Sequence, residues 1–192
     1  MHLLSSLLFA ISANTDNFVV GISYGIKKIK IGPASNLLIA LINLAGTILS
    51  MSAGKAIFRF LPGKISNFIG SIILILIGCY TIASPLLAAG HPDRILENPE
   101  KADMDNSKSI EVKESVALAF ALTINNMGLG IGASITGLNI ITTSIFTLFF
   151  GLLTITLGCL LGSRFLSKAS SKWATIVSGL LIIALGVYEI LI

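Results

Sequence analysis

The sequence predicts an all-α, polytopic membrane protein of six transmembrane helices arranged as two inverted three-helix repeats, and three observations predict it. The 192 residues are 54% hydrophobic and only 11% charged, against roughly a quarter charged in a soluble domain. Cutting the chain at its charged and Pro/Gly clusters leaves six apolar stretches, each near the ~20 residues that cross a bilayer as a helix. The first three stretches recur as the last three at a shift of 108 or 109 residues. Intrinsic disorder and a nucleic-acid-binding globule are both excluded, because a chain of mean hydropathy +0.93 carries its net charge of +4 as loop charge that orients it in a membrane.

The first span runs from residue 3 to 26. Its start resembles a signal peptide, but no Lys or Arg precedes it, and its apolar character continues past Ala13 to a stop at Lys27, Lys28 and Lys30. The second and third spans cover 34–54 and 65–89, and a charged linker fills 90–114. The remaining spans are 115–138, 140–162 and 173–192. Unbroken Leu, Ile, Gly and Ala, without strict alternation, makes these helices and not barrel strands. The chain therefore divides into a first repeat at 1–89, a linker at 90–114 and a second repeat at 115–192.

Loop charge gives the orientation. Lys27, Lys28, Lys30, Arg94, Lys101, Lys108, Lys113, Arg164, Lys168 and Lys172 follow spans one, three and five, whereas only Lys55, Arg59 and Lys64 lie on the other side. The positive-inside rule then puts both termini outside a cytoplasmic membrane and the linker in the cytoplasm. Cys79 and Cys159 fall inside spans with no metal-ligand spacing, as small packing residues do.

The repeat aligns Asp16-Asn17 with Asn125-Asn126 and Gly21 with Gly130 at a shift of 109, and Gly54 with Gly162 at 108. Three helices is an odd number, so the second copy enters the bilayer from the opposite side, a recurrent transporter design with its substrate site at the midplane. Asp16 is the one acidic residue near the middle of a span; the others belong to the linker, its edges, or the end of the last helix at Glu189. A carboxylate at that depth marks a functional site. Asn14, Thr15 and Asn17 flank it, Asn125 and Asn126 occupy the matching depth of span four, and Asn43 with Thr47 lies in span two. Carboxylate, amide and hydroxyl oxygens suit hard cations such as Mg²⁺, Ca²⁺ or Mn²⁺, while this polar set contains no His or Cys, which Zn²⁺ or Cu⁺ would call for. The other reading of the amides is that they hydrogen-bond helices together. Gly21-x-x-x-Gly25 and Gly158-x-x-x-Gly162 offer close helix packing, and the glycines of spans one and four also offer places where a loosened helix turns carbonyls toward an ion.

Within the linker, Asp103, Asp105, Ser107 and Glu114 stand at positions 1, 3, 5 and 12 of a twelve-residue calcium-loop pattern. Lys108 occupies position 6, where that pattern wants glycine, and Pro92 and Pro99 interrupt the approach, so the segment reads first as a solvated charged linker and only second as a divalent-cation loop. No nucleophile and base or His-rich cluster suggests an enzyme.

The Asp16-Asn17-x-x-x-Gly21 element, its echo at Asn125-Asn126-x-x-x-Gly130 and the six-helix plan resemble the MntP-type manganese efflux pumps. The segments Gly21 to Ile31 and Pro99 to Asp105 are more similar to a sporulation-associated branch of that family. The resemblance implies a bacterial cytoplasmic-membrane protein exporting a divalent cation, Mn²⁺ first; Ca²⁺ at the linker rests on the loop pattern alone. Its partners would be the lipid bilayer, the metal ion and optionally a second copy in a homodimer, with no nucleic acid and no cofactor. Asp16 would be the principal ligand, completed by Asn14, Asn17, Asn43, Asn125 and Asn126. Family members carry Asp in both repeats, whereas this chain has Asn125 in the second, which removes one formal charge. The alternative function is a non-transporting sporulation-associated membrane protein whose central loop binds calcium or a partner.

Overall fold

The computed structural model describes residues 3–59, 63–87 and 102–164, together with 180, 183, 184, 187 and 188. Most of the expected last span at 173–192 and the whole of the linker before residue 102 lie outside the described residues. The elements run α1 (Leu3–Ala13), α2 (Thr15–Lys27), β1 (Lys30–Ile31), α3 (Pro33–Phe58), α4 (Gly63–Leu87), β2 (Ser109–Ile110), α5 (Val112–Ile135) and α6 (Ile140–Arg164). The chain is a multi-pass membrane protein: among the described residues α1 with α2, α3 and α6 are each long and apolar enough to span, and α5 is a fourth span if its two bent segments count as one.

Local chemistry explains the boundaries. Span one runs as one 25-residue span from Leu3 to Lys27, interrupted locally at Asn14, whose backbone sits at φ −104°, ψ 10° while its N–H still donates to the Ala10 carbonyl and its own carbonyl accepts the Phe18 N–H. The Asn14 side chain donates to the Ala10 carbonyl at 2.8 Å, competing with the backbone for that acceptor. Lys28 closes α2 in the left-handed conformation, φ 58°, with Ile29 N–H donating to the Tyr24 carbonyl at 2.9 Å. Pro33 opens α3 in the first turn, where a missing N–H costs nothing. A reciprocal capping box between Glu111 and Glu114 starts α5. Asn139 Oδ1 accepts the Thr142 N–H at 3.0 Å to start α6. A two-residue parallel pairing of Lys30 with Ser109 and Ile31 with Ile110, too short for any sequence signal, ties the linker to the end of span one.

Span one packs mainly on α6, and α3 packs mainly on α5. Both interfaces are made by small residues. A Cβ on Gly21 would sit 2.6 Å from the Ile155 carbonyl oxygen, and one on Gly158 would sit 2.9 Å from Ile22 N. Gly25 and Gly162 are crowded by the facing backbone in the same way. At the other interface Gly130 meets Ser50, and Gly54 meets Ser134 and Ile131. Close backbone approach of this kind is how helices gain dispersion contact in lipid, where no hydrophobic driving force acts between them. The glycines of α2 thus pack, and the interruption comes at Asn14 instead. Outward, Leu49, Phe120, Ile141, Ile145 and Phe149 are exposed, as a lipid-facing surface requires.

Candidate functional site

Two discontinuities face each other inside the bundle. One is the Asn14 junction of α1 and α2; the other is a 43° bend in α5 between Val112–Ile124 and Asn126–Ile135. Asn126 Nδ2 donates to the Ala13 carbonyl at 2.7 Å, joining the bend of one span to the break of the other. Beside this bridge, Asn17 Nδ2 donates to Asn14 Oδ1 at 2.9 Å, and Asn14 Nδ2 reaches the Thr147 carbonyl at 3.4 Å. Thr123 Oγ1 donates to Asn43 Oδ1 at 2.6 Å.

These groups surround a cavity of about 10 Å³ lined by Phe9, Ala13, Asn14, Asn43, Gly46, Thr47, Thr123, Asn126 and Thr147, the space of about one water or one bare ion. Among the described residues, Asn17 Oδ1, Asn43 Nδ2 and Thr147 Oγ1 are buried at or next to it with no hydrogen-bond partner. Unpaired buried polar atoms cost about 1–3 kcal/mol each, so the arrangement suits a polar guest.

The cavity lies in a polar layer between two apolar ones. Along span one, Phe9 and Ala13 precede Asn14 and Asn17, which precede Val20 and Tyr24. Along α3, Ile39 is followed by Asn43 and Thr47 and then Met51; along α5, Leu118 and Leu122 are followed by Thr123 and Asn126 and then Leu129 and Ala133. On α6, Ile140 and Ile155 flank Thr147. Both ends of the site are therefore closed by packed side chains.

The sequence-derived candidates divide accordingly. Asn14, Asn43 and Asn126 line the cavity, and Asn17 reaches it through Asn14. Asp16 is half-buried in the first turn of α2 and is not among the lining side chains. Two residues along a helix is about 200° of rotation, which turns Asp16 away from the face of Asn14, while the positive end of α2 stabilises its charge. Asn125 sits at the bend of α5; its side chain lies outside the described residues. Thr123 and Thr147 line the cavity without having been singled out. Position is the signal that finds Thr123, which matches Asn14 at the 109-residue shift; the repeat offers none for Thr147.

The linker candidates also come together. Carboxylate oxygens of Asp103, Asp105 and Glu114 lie within 4.8 Å of one another, the span of two oxygens held about 2.4 Å from one calcium. Main-chain donors already occupy them: Ser107 N–H reaches Asp103 Oδ1 at 3.0 Å and Asp105 Oδ1 at 2.9 Å, and Lys108 N–H reaches Asp103 Oδ2 at 3.0 Å. Met104 N–H and Glu111 N–H donate to Glu114 at 2.7 and 3.0 Å. Lys108 takes the left-handed turn, φ 60°, that its side chain was expected to oppose. Ser107 enters through its amide in both contacts. Bonding from Ser107, its hydroxyl first and its amide second, holds the Asp105 carboxyl below the usual 3.8. A lowered folded-state pKa contributes stability above the unfolded value and loses it as pH falls through the folded one. The protection factor of the Ser107 amide, its exchange rate relative to the intrinsic rate at each pH, is therefore expected to hold steady from pH 5 to 7 and to fall only below about pH 3.8.

Residues 93–191 match the family model described as "Putative manganese efflux pump". The chain is 32% identical to the "Probable sporulation protein YtaF" of Bacillus subtilis (strain 168), across 99% of this chain and 100% of that protein. It is 29% identical to the "Putative manganese efflux pump MntP" of Chromohalobacter salexigens, across 97% of this chain and 93% of that one. The protein of the same name in Bacillus thuringiensis (strain Al Hakam) is 27% identical, across 97% and 95%. No solved structure matches significantly.

Proposed function

The chain belongs to the manganese efflux pump family, and from that premise we propose that it exports a divalent cation, Mn²⁺ foremost, across the bacterial cytoplasmic membrane, with both termini outside. The observation that carries this reading is the closed polar layer where the broken span one and the bent α5 meet through Asn126 and the Ala13 carbonyl. Discontinuous helices at mid-membrane are where transporters expose backbone and side-chain oxygens to an ion.

In the proposed mechanism Asn14, Asn17, Asn43 and Asn126 supply neutral oxygens, with the Thr123 and Thr147 hydroxyls beside them. Asp16, about half a turn of rotation away, supplies the formal charge that draws the dication in and the proton that releases it. The two inverted repeats, 1–89 and 115–192, would rock against each other about the linker 90–114. Support comes from the interfaces: Gly21 with Gly158 and Gly25 with Gly162 correspond, at the 108 and 109 shifts, to Gly130 with Ser50 and Ser134 with Gly54. The same kind of contact therefore recurs between span one and α6 and between α5 and α3.

Expression in a manganese-sensitive bacterial host is expected to relieve metal sensitivity, and Asp16→Asn to abolish the relief. Unchanged relief by Asp16→Asn would remove Asp16 from the mechanism. A second charge in the second repeat is expected to strengthen the site: Asn125→Asp should lower the Kd for Mn²⁺ by about tenfold or more, read by equilibrium dialysis.

A second reading, a sporulation-associated membrane protein without transport whose central loop binds calcium or a partner, is favoured by one observation: the carboxylates of Asp103, Asp105 and Glu114 converge. Under it, the purified protein would bind Ca²⁺ in an Asp103-dependent way, and deletion of residues 93–113 would matter more than Asp16→Asn.

A further inference from the structure

The α1–α6 interface carries a row of polar groups that helix packing does not account for. Ser5, Ser6, Thr143, Ser144 and Thr147 are each at most 3% exposed. Ser6, Thr143 and Thr147 lie on the facing sides of the two helices, since Thr143 Oγ1 donates to Ser6 Oγ at 2.9 Å and Asn14 Nδ2 reaches the Thr147 carbonyl, and Ser5 and Ser144, their neighbours in sequence, are buried with them. On α6, Thr143 and Ser144 stand one turn from Thr147, and Thr147 opens on the cavity.

Elsewhere in the bundle, hydroxyls within apolar helices satisfy themselves. Ser12, Thr15, Thr47, Thr154 and Thr156 each donate to the carbonyl four residues back, at 2.7 to 3.0 Å. By contrast, Ser5 Oγ, Ser144 Oγ and Thr147 Oγ1 have no protein partner. A hydroxyl kept from its own helix and given nothing in return is expensive in a bilayer, whose hydrocarbon supplies no water. Hydroxyls that merely joined helices would be paired with each other, as Ser6 and Thr143 are. Water or an ion that reaches them along the interface resolves the deficit.

We propose that this interface is the aqueous path linking the cavity to the membrane face at which α1 begins, walled by Ser5, Ser6, Thr143, Ser144 and Thr147 and closed by Phe9. The Phe9 ring is 3% exposed, lines the cavity and lies one helical turn from both Ser5 and Ala13. The path rests on the reading of the cavity as a transport site, but its wetness is measurable without transport.

The experiment uses the full chain with Cys79 and Cys159 replaced by alanine, single cysteines, and a membrane-impermeant methanethiosulfonate applied to each side of the membrane in turn. Ser5→Cys and Ser144→Cys are expected to react from one and the same side. Ile145→Cys, next in sequence but 60% exposed toward lipid, is expected not to react. Thr147→Cys is expected to react slowly, and about tenfold or more faster when combined with Phe9→Ala. If Ser144→Cys is no more reactive than Ile145→Cys from either side, the path is wrong even where the protein transports metal. If it reacts from one side while the wild-type chain moves no metal, the path stands and the transport reading fails.

Discussion

Metal flux through reconstituted protein is expected to fall tenfold or more when Asn126 is replaced by leucine. The substitution deletes the 2.7 Å bond that ties α5 to the Ala13 carbonyl and leaves that carbonyl, at the break of span one, without its partner. An unpaired buried acceptor costs about 1–3 kcal/mol, and each 1.4 kcal/mol is about a factor of ten. The leucine also intrudes on a cavity of only about 10 Å³. Asn126→Asp removes the same donor and sets a carboxylate against the Ala13 carbonyl oxygen, so it is expected to lose flux as well and to recover part of it only at low pH, where a protonated carboxyl can donate in place of the amide. The check is uptake of Mn²⁺ into proteoliposomes at matched protein content. Equal rates for wild type and Asn126→Leu would mean that the junction of the two discontinuities has no part in transport.

The second large effect is on assembly. Gly158→Leu is expected to abolish the folded bundle, and Gly158→Ala to destabilise it by about 1–3 kcal/mol, the usual cost of forcing atoms into packed space. The reason is backbone against backbone: a Cβ at residue 158 would lie 2.9 Å from Ile22 N and 3.0 Å from the Gly21 Cα, neither of which is a side chain that can swing aside. Gly128→Ala is the matched comparison, because its Cβ would meet only the flexible Ile77 Cδ1 at 3.6 Å. That change should be neutral or stabilising by up to about 1 kcal/mol through helix propensity. Thermal unfolding in detergent separates the two, and similar midpoints for Gly158→Ala and Gly128→Ala would contradict the close approach of α2 and α6.

Much of this was legible in the sequence because bilayer physics writes itself in long apolar runs. The described helices fall where hydropathy puts them, and Asn14, Asn43 and Asn126 stood out as amides where lipid tolerates few polar groups. Thr123 and Thr147 did not stand out, since a threonine in an apolar helix normally bonds its own carbonyl, and nothing local distinguishes Thr147 from Thr154, which does so. The break at Asn14 was hidden for a related reason: hydropathy runs smoothly through it, and the competing side-chain bond to Ala10 is a matter of geometry. Asp16 shows the limit of reading depth without azimuth, because its position along the span was evident while its rotation away from Asn14 was not. The pairing of β1 with β2, and with it the docking of Ile110 and Ala102 into the apolar layer around Tyr24, depends on contacts some eighty residues apart that leave no periodic trace.

Flux of divalent ions through the purified wild-type chain in proteoliposomes, measured over a panel that includes Mn²⁺, Mg²⁺ and Ca²⁺, tests the central claim most directly. The account predicts saturable Mn²⁺ movement above that of protein-free vesicles, reduced by Asp16→Asn and by Asn126→Leu. Mn²⁺ movement no faster than in protein-free vesicles, from protein shown to be folded by its thermal transition, would contradict it.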